Sequence, residues 1–368
     1  MDKLHNWNII HHARTWYGRF ERPISSLSLV GGFVFDAITL RQVGQFWENF
    51  WVIAHLVIVG VAIILINALH ADVGDEADPS KWHFWLVNIL QFFFGGILST
   101  YLVFYFRSGS LAVSWPFILL LALAFYANES FKRHYIRLSF QVSLFFLSLF
   151  SFAIFLVPVL LHQIGTKIFL LSGVISLVCM WVFLIILFFF TKGNIRKQRT
   201  IILSSIGGIF LLVNIFYFTN LIPPIPLSLK ESGVYHSISK DMSGAYVLSY
   251  EKQPWYSFFN PYDSIHVVTG DPVYVYSAIF SPADLNVSIV HDWQYYNPET
   301  ERWIDEGKVS LSLVGGRDGG FRTYSFRTSL TAGKWRVNVD TVGGQVIGVV
   351  RFNVVDVATE PSVLTEVK

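Results

Sequence analysis

Leu221-Ile-Pro-Pro-Ile-Pro226 divides the chain into two kinds of sequence. Upstream stand long apolar runs rich in Phe. Downstream, residues 221–368 form short alternating segments separated by turn residues, without a cysteine. A stiff Pro-containing spacer between apolar runs of span length and a period-two region reads as the exit of a membrane-embedded helical domain into a water-exposed β domain. Composition agrees, because 53% hydrophobic and 14% charged residues lie far from a soluble average.

Working back from the spacer, six runs have the length to cross a bilayer: Phe50–Leu69, His83–Phe106, Leu111–Tyr126, Leu138–Leu161, Ile168–Phe190 and Ile201–Thr219. Ile24–Leu40, interrupted by Asp36, is a seventh candidate. Charge placement decides on it. The N-terminal arm (Lys3, Arg14, Arg19, Arg22) and two connections (Lys132, Arg133, Arg137 and Lys192, Arg196, Lys197, Arg199) are basic, and basic segments stay cytoplasmic. With six spans and the N-terminus inside, both basic connections fall outside; with seven, all three basic segments fall inside. The expectation is therefore seven spans in a bacterial inner membrane, with the N-terminus in the cytoplasm and the β domain in the periplasm. The arm carries no apolar core of a cleavable signal peptide, so the first span acts as an uncleaved anchor.

Charge also sorts partners. Residues 1–220 hold 15 Lys/Arg against 9 Asp/Glu, and residues 221–368 hold 12 against 16, so the β part offers nucleic acid no basic surface. The expected partners are the lipid bilayer and a membrane or periplasmic protein. Cys179, the only cysteine, sits in an apolar run, which removes intrachain disulfides and cysteine-based zinc sites. No cofactor or metal is expected.

Polar residues within the runs are Asp36, Asn88, Gln91, Gln141 and Asn214. Such groups either bond a neighbouring helix or line a transport path. Gly31-Gly32, Gly95-Gly96 and Gly207-Gly208 read as close helix packing. Glu129, Arg133, His134 and Arg137 cluster at a span boundary and read as a cytoplasmic ion cluster. No H-E-x-x-H or G-x-S-x-G motif is present, and no catalytic residue is assigned.

From Gly244 the period is two. Strands are expected at Ala245–Tyr250, Ser264–Val268, Pro272–Phe280, Leu285–Tyr296, Lys308–Val314, Phe321–Thr328, Lys334–Thr341 and Gln345–Val355. Eight short strands without a helix suggest an antiparallel sandwich of immunoglobulin type. The domain plan is a basic arm (1–23), a helical membrane domain (24–220), a linker (221–243), the β-sandwich (244–357) and a tail (358–368). Alternation puts Leu285, Val287, Ile289, His291, Trp293 and Tyr295 on one core-facing side. Trp335, Val337 and Val339 form another, with Arg336, Asn338 and Asp340 opposite, while Arg322 shares a face with Tyr324 and Phe326.

His291-Asp-Trp293, Arg322-Thr-Tyr-Ser325, Gly333-Lys-Trp-Arg-Val337 and Phe352-Asn-Val354 together resemble a bacterial family known only as a domain of unknown function, over roughly residues 270–356. Gly95-Gly-Ile-Leu-Ser-Thr-Tyr-Leu-Val-Phe-Tyr-Phe-Arg107 is similar to the membrane part often joined to it. Asp318-Gly-Gly320 departs from the pattern by lengthening the turn before Arg322. The resemblance implies an envelope protein and brings no activity.

Two groups are binding candidates. His291, Arg322 and Tyr324, with Trp293 and Trp335, form either an anion-holding site or a polar cluster pinning two sheets. Trp255, Tyr256, Phe258 and Phe259 form either an anchor on the outer leaflet or a lid on the sandwich. The function expected is an envelope accessory or binding protein, anchored by its helices and presenting the β domain within a larger complex. A transporter or lipid-handling protein gated by the β domain is the alternative, and an enzyme at the membrane surface is a third reading.

Overall fold

A computed structural model describes residues 33–34, 46–73, 81–108, 111–130, 137–191, 194–222, 224, 227–242, 244–253, 260, 262–280, 287–313 and 321–368. Among these residues six long helices come first: α1 (Phe46–Val73), α2 (Lys81–Ser108), α3 (Leu111–Ser130), α4 (Leu138–Leu161), α5 (Thr166–Thr191) and α6 (Asn194–Phe218). Eleven strands follow: β1 (Ser228–Tyr235), β2 (Ser237–Lys240), β3 (Tyr246–Tyr250), β4 (Asp263–Val268), β5 (Pro272–Phe280), β6 (Val287–Asn297), β7 (Arg302–Leu313), β8 (Phe321–Thr328), β9 (Gly333–Thr341), β10 (Val346–Val357) and β11 (Leu364–Val367).

The seven-span count is not met among the described residues. Five stretches are long and apolar enough to cross a membrane: Asn49–Leu69, Leu86–Phe106, Leu138–Leu161, Thr166–Thr191 and Gln198–Phe218. In α3 the apolar stretch is only Ser114–Asn128, short of the roughly 20 residues a hydrocarbon core requires. Ile24–Leu40 lies outside the described residues except for Phe33 and Val34, both helical. The connection holding Arg133 and His134 lies outside them too.

The chain divides into two compact units. One contains Met1–Phe104, Ile118–Phe152 and Val174–Leu212; the other contains Tyr105–Phe117, Ala153–Gly173 and Val213–Lys368. In the first, helices are joined by side-chain amides as well as by packing. Asn67 Nδ2 donates to Gln141 Oε1 at 2.7 Å, and Tyr101 Oη donates to the Ser148 carbonyl at 2.9 Å. Gln91 and Asn128 exchange bonds, each amide donating to the other's main-chain carbonyl at 3.1 Å. Gly95 and Gly96 let these groups approach: a Cβ at Gly95 would lie 3.3 Å from Asn128 Nδ2, and one at Gly96 3.2 Å from His55. Outward faces of α5 and α6 are apolar, with Trp181, Phe189, Phe190, Leu211 and Ile215 exposed, as lipid-facing helices require.

In the β part, β1-β5-β8 form one sheet, β4-β10-β9-β6-β7 a second and β11-β3-β2 a third. The first two close on one apolar core. Val273, Val275 and Ile279 of β5 meet Ile289 and Trp293 of β6, the Trp335/Val337/Val339 face of β9, and Phe352 of β10. One pairing departs from an antiparallel plan, since β4 runs parallel to β10.

Three strands lie where a linker and a tail are expected. Strand β1 has no clean alternation, because its register shifts between Leu229 and Glu231. Strand β2 is four residues long, and β11 is exposed throughout, held by main-chain pairing to β3. Strand β7 starts at Arg302 rather than Lys308; a bulge opposite Trp293/Gln294 absorbs the polar residues that broke the pattern.

Candidate functional site

Strand β6 carries two kinds of chemistry on its two faces. Inward, Ile289, His291 and Trp293 are fully buried. His291 Nε2 lies 2.9 Å from Ser277 Oγ of β5, and Nδ1 lies 2.8 Å from Ser325 Oγ of β8. Trp293 Nε1 donates to Ser325 Oγ at 3.0 Å, and Ser277 Oγ meets Thr323 Oγ1 at 3.0 Å. Every proton finds an acceptor if Ser325 donates to Nδ1, the ring donates from Nε2 to Ser277, and Ser277 donates to Thr323. A serine beside a histidine is nucleophile geometry, yet Ser277 and His291 are both inaccessible, so no substrate reaches them. The network joins the two sheets.

Burial pushes His291 down to about 4. The unfolded chain, near 6.5, then binds a proton that the folded chain excludes between pH 4 and 6.5. Stability from this group is complete above about pH 6.5 and is lost as pH falls toward 4, by roughly 3 kcal/mol in all. Between pH 7 and pH 5, hydrogen-exchange protection of β6 and β9 in the full-length protein should therefore fall relative to that of His291→Gln, which lacks this titrating group and leaves every other one in place.

The other sequence candidates part company. Trp335 shares the core but donates to the Thr331 carbonyl at 2.8 Å. Arg322 is exposed, and Tyr324 packs 6.0 Å from Tyr246 and Tyr274, on the face of β8 opposite Ser325. His291 and Arg322 therefore point to opposite sides of one sheet. Trp255, Tyr256, Phe258, Phe259 and Asp36 lie outside the described residues. Asn88 is half-buried in α2, and Gln91 and Gln141 sit in the helix-joining bonds described above.

The outward face of β6 was not singled out by sequence. Asp292, Gln294 and Tyr296 point there, beside Lys334, Arg336, Asn338 and Asp340 of β9 and Trp303 and Lys308 of β7. Arg336 lies with its guanidinium carbon 4.2 Å from the Trp303 ring centroid, and its Nε donates to Gln294 Oε1 at 2.7 Å. Gln294 in turn donates to Asp292 Oδ2 at 2.6 Å. Tyr296 stands edge-on to Trp303 at 5.3 Å, and the Lys334 ammonium lies 5.6 Å from Tyr262 and 6.0 Å from Tyr296. Burial, with the Asp292 charge second, pushes Asp340 up to about 7. Burial likewise raises Asp292. One oxygen of each carboxylate, Oδ1, is buried without a partner. The signal available in sequence was the complement of the core pattern: Arg336, Asn338 and Asp340 alternate with Trp335, Val337 and Val339.

Two more clusters escaped sequence reading, because their members come from separate strands. Glu251 accepts from the His266 main-chain N–H at 2.6 Å, and its oxygens lie 2.6 Å from His266 Nδ1 and 2.7 Å from His236 Nε2. Burial opposes ionisation of Glu251, but the hydrogen bonds from His266 and His236 outweigh it and hold the carboxyl below its usual range. Lys368 pairs with Glu231 and lies 3.4 Å from Glu366 and from Tyr235 Oη. Among the described residues no group of three or more His, Cys, Asp or Glu is placed to hold a metal ion.

Residues 286–354 match the model of a protein family of unknown function, DUF2914. No curated protein matches the chain. An immunoglobulin-like protein from Pseudomonas aeruginosa is 10% identical, covering 35% of this chain and 95% of its own, with a TM-score of 0.21. A beta-glucosidase from Listeria innocua is 13% identical over 37% of this chain and 17% of its own, with a TM-score of 0.19. An alkylpurine DNA glycosylase from Pseudomonas fluorescens is 11% identical over 84% and 98%, with a TM-score of 0.21. TM-scores this low do not establish a shared fold.

Proposed function

We propose that the chain is an envelope accessory protein whose helices anchor it and whose β domain presents the outer face of the β4-β10-β9-β6-β7 sheet to a protein partner. The observation that carries this reading is the Arg336–Trp303–Tyr296 group. It combines the residue types that dominate interface energetics on a half-exposed, hydrogen-bonded surface. Lys334 and Arg336 stand at the Tyr296 and Trp303 rings, with Arg351 beside Arg336 on the next strand, which supports a partner that offers a carboxylate to this part of the face.

Strand order supports an immunoglobulin-type sandwich. Strands β10-β9-β6-β7 run as G, F, C and C′ do, strands β1-β5-β8 run as A, B and E do, and a buried Trp stands on the strand equivalent to C. The membrane topology that goes with this function has seven spans, a cytoplasmic N-terminus and the β domain in the periplasm, and basic-loop parity supports it. The buried amides Gln91, Asn128, Asn67 and Gln141 bond one another, which supports anchoring over a polar transport path.

Thr328 is exposed on β8, in the sheet opposite the proposed partner face. In a chain with Cys179→Ala and Thr328→Cys, a membrane-impermeant maleimide added to intact spheroplasts should label the protein fully. Labelling that requires lysis puts the β domain in the cytoplasm and removes the proposal.

A further inference from the structure

Two carboxyls stand together on the outer face of the β4-β10-β9-β6-β7 sheet. In the β6–β9 register Asp292 lies opposite Asn338 and Val290 opposite Asp340, so Asp292 and Asp340 are diagonal neighbours on one face. Asp292 is only 5% exposed. In each carboxyl Oδ1 is buried and accepts no hydrogen bond. Ionising both is doubly unfavourable: burial removes the water that would solvate the charges, and the charges repel each other. One proton relieves both faults. It cancels one charge and turns one orphan acceptor into a donor.

Neighbouring donors decide which carboxyl takes it. Asp292 Oδ2 accepts from Gln294 Nε2 at 2.6 Å. No hydrogen bond or ion pair holds the Asp340 side chain among the described residues. Asp340 therefore takes the proton and Asp292 keeps its charge. The other charged groups around the pair are Lys308 and Asp305 on β7, Arg336 on β9 and Arg351 across from it on β10. Lys308 lies opposite Asp292 and 3.8 Å from Asp305. The residue of β10 across from Asp340 is Val346, which carries no charge. Lys308 and Arg336 favour ionisation of Asp340, but burial and the Asp292 charge outweigh them and push it up to about 7.

A hydrogen-bonded chain ties the pair to the recognition group. Gln294 donates to Asp292 and accepts from Arg336 Nε at 2.7 Å, and the Arg336 guanidinium covers Trp303. Both carboxylates also act on the Arg336 charge directly.

We propose that Asp292 and Asp340 share one proton, and that its loss weakens the hold of the Arg336–Trp303–Tyr296 group on a carboxylate-bearing partner. With both groups ionised, two negative charges oppose the incoming carboxylate; with one proton bound, a single charge does. Affinity therefore falls as pH rises through neutrality, and by reciprocity the bound partner tightens the proton. Control of binding rests on the partner face proposed above; the shared proton does not.

Infrared spectroscopy of the full-length protein detects the proton, and a photoreactive amino acid placed at Tyr296 detects its effect on the partner. A protonated-carboxyl C=O band should titrate away as pH rises through about 7, and Asp340→Asn should remove it. Asp292→Asn, which takes away the neighbouring charge, should shift that titration to lower pH. In permeabilised cells the adduct from position 296 should be about 3-fold more abundant at about pH 6 than at about pH 8, the effect of one charge near a basic group. In Asp340→Asn, the uncharged isostere of the protonated state, the higher yield should hold at both pH values. Absence of the titrating band overturns the inference. So does an adduct of equal yield at both pH values in the parent, or a pH dependence that survives in Asp340→Asn. An adduct missing at both pH values removes the partner face and the control of binding with it, while the band still reports the shared proton.

Discussion

Trp293→Ala should cost the β domain about 3–5 kcal/mol, a large part of the 5–15 kcal/mol that typically holds a domain folded. Its side chain is fully buried between the two sheets, 6.1 Å from Phe352 in an edge-to-face arrangement. Removing the indole leaves a cavity in a close-packed core and withdraws a hydrogen bond from Ser325 Oγ, the atom that also meets His291 Nδ1. Trp293→Phe keeps most of the volume and loses the bond, for about 1–2 kcal/mol. Hydrogen exchange in the full-length protein separates the effects by location. Protection of β6, β9 and β10 should collapse in Trp293→Ala, while Asn49–Leu69 and Leu138–Phe152 exchange as in the parent. Unchanged β-strand protection would mean that Trp293 does not hold the two sheets together.

If the proposed partner face is the interface, Arg336→Glu should weaken the proposed complex by about 100-fold or more, as expected for a central interface arginine, while leaving the fold intact. Arg336 is half-buried on the sheet's outer face, so no core packing depends on it. Its guanidinium covers Trp303 and donates to Gln294, which positions Asp292. A glutamate there uncovers the ring, withdraws the donor and adds a carboxylate beside Asp292 and Asp340, two groups whose ionisation burial already opposes. Arg336→Lys keeps the charge and loses the planar fork, so it should fall between, at about 10-fold.

Much of this architecture was legible in the residues, for identifiable reasons. Apolar runs marked all six described helices, five of which hold a stretch long and apolar enough to cross a membrane, and period two marked the core faces of β6 and β9, because burial on one side forces alternation. Strands β1 and β2 were not legible because their few buried residues, Leu229, Val234, Tyr235 and Ile238, follow no clean alternation across a register shift and a four-residue strand, and β11 because it is exposed throughout and held by main-chain pairing. The proposed seven-span arrangement comes from basic-loop parity, and among the described residues five helical stretches are long and apolar enough to serve as crossings. His291 and Trp293 were correctly placed together, but Arg322 was grouped with them although it points to the other face of β8. Sequence gives the parity of a residue along its strand and not which way a neighbouring strand is turned. The Arg336–Trp303–Tyr296 face was hidden for the same reason: its members come from β6, β7 and β9, and the bulge opposite Trp293/Gln294 sets which of them meet.

A photoreactive amino acid placed at Tyr296 in the full-length protein, irradiated in living cells, tests the recognition surface most directly. The account predicts one discrete cross-linked adduct from position 296, its loss in the Arg336→Glu background, and none from Thr328, an exposed position on the opposite sheet. An adduct from position 328 but not 296, or one at 296 that Arg336→Glu leaves untouched, would contradict it.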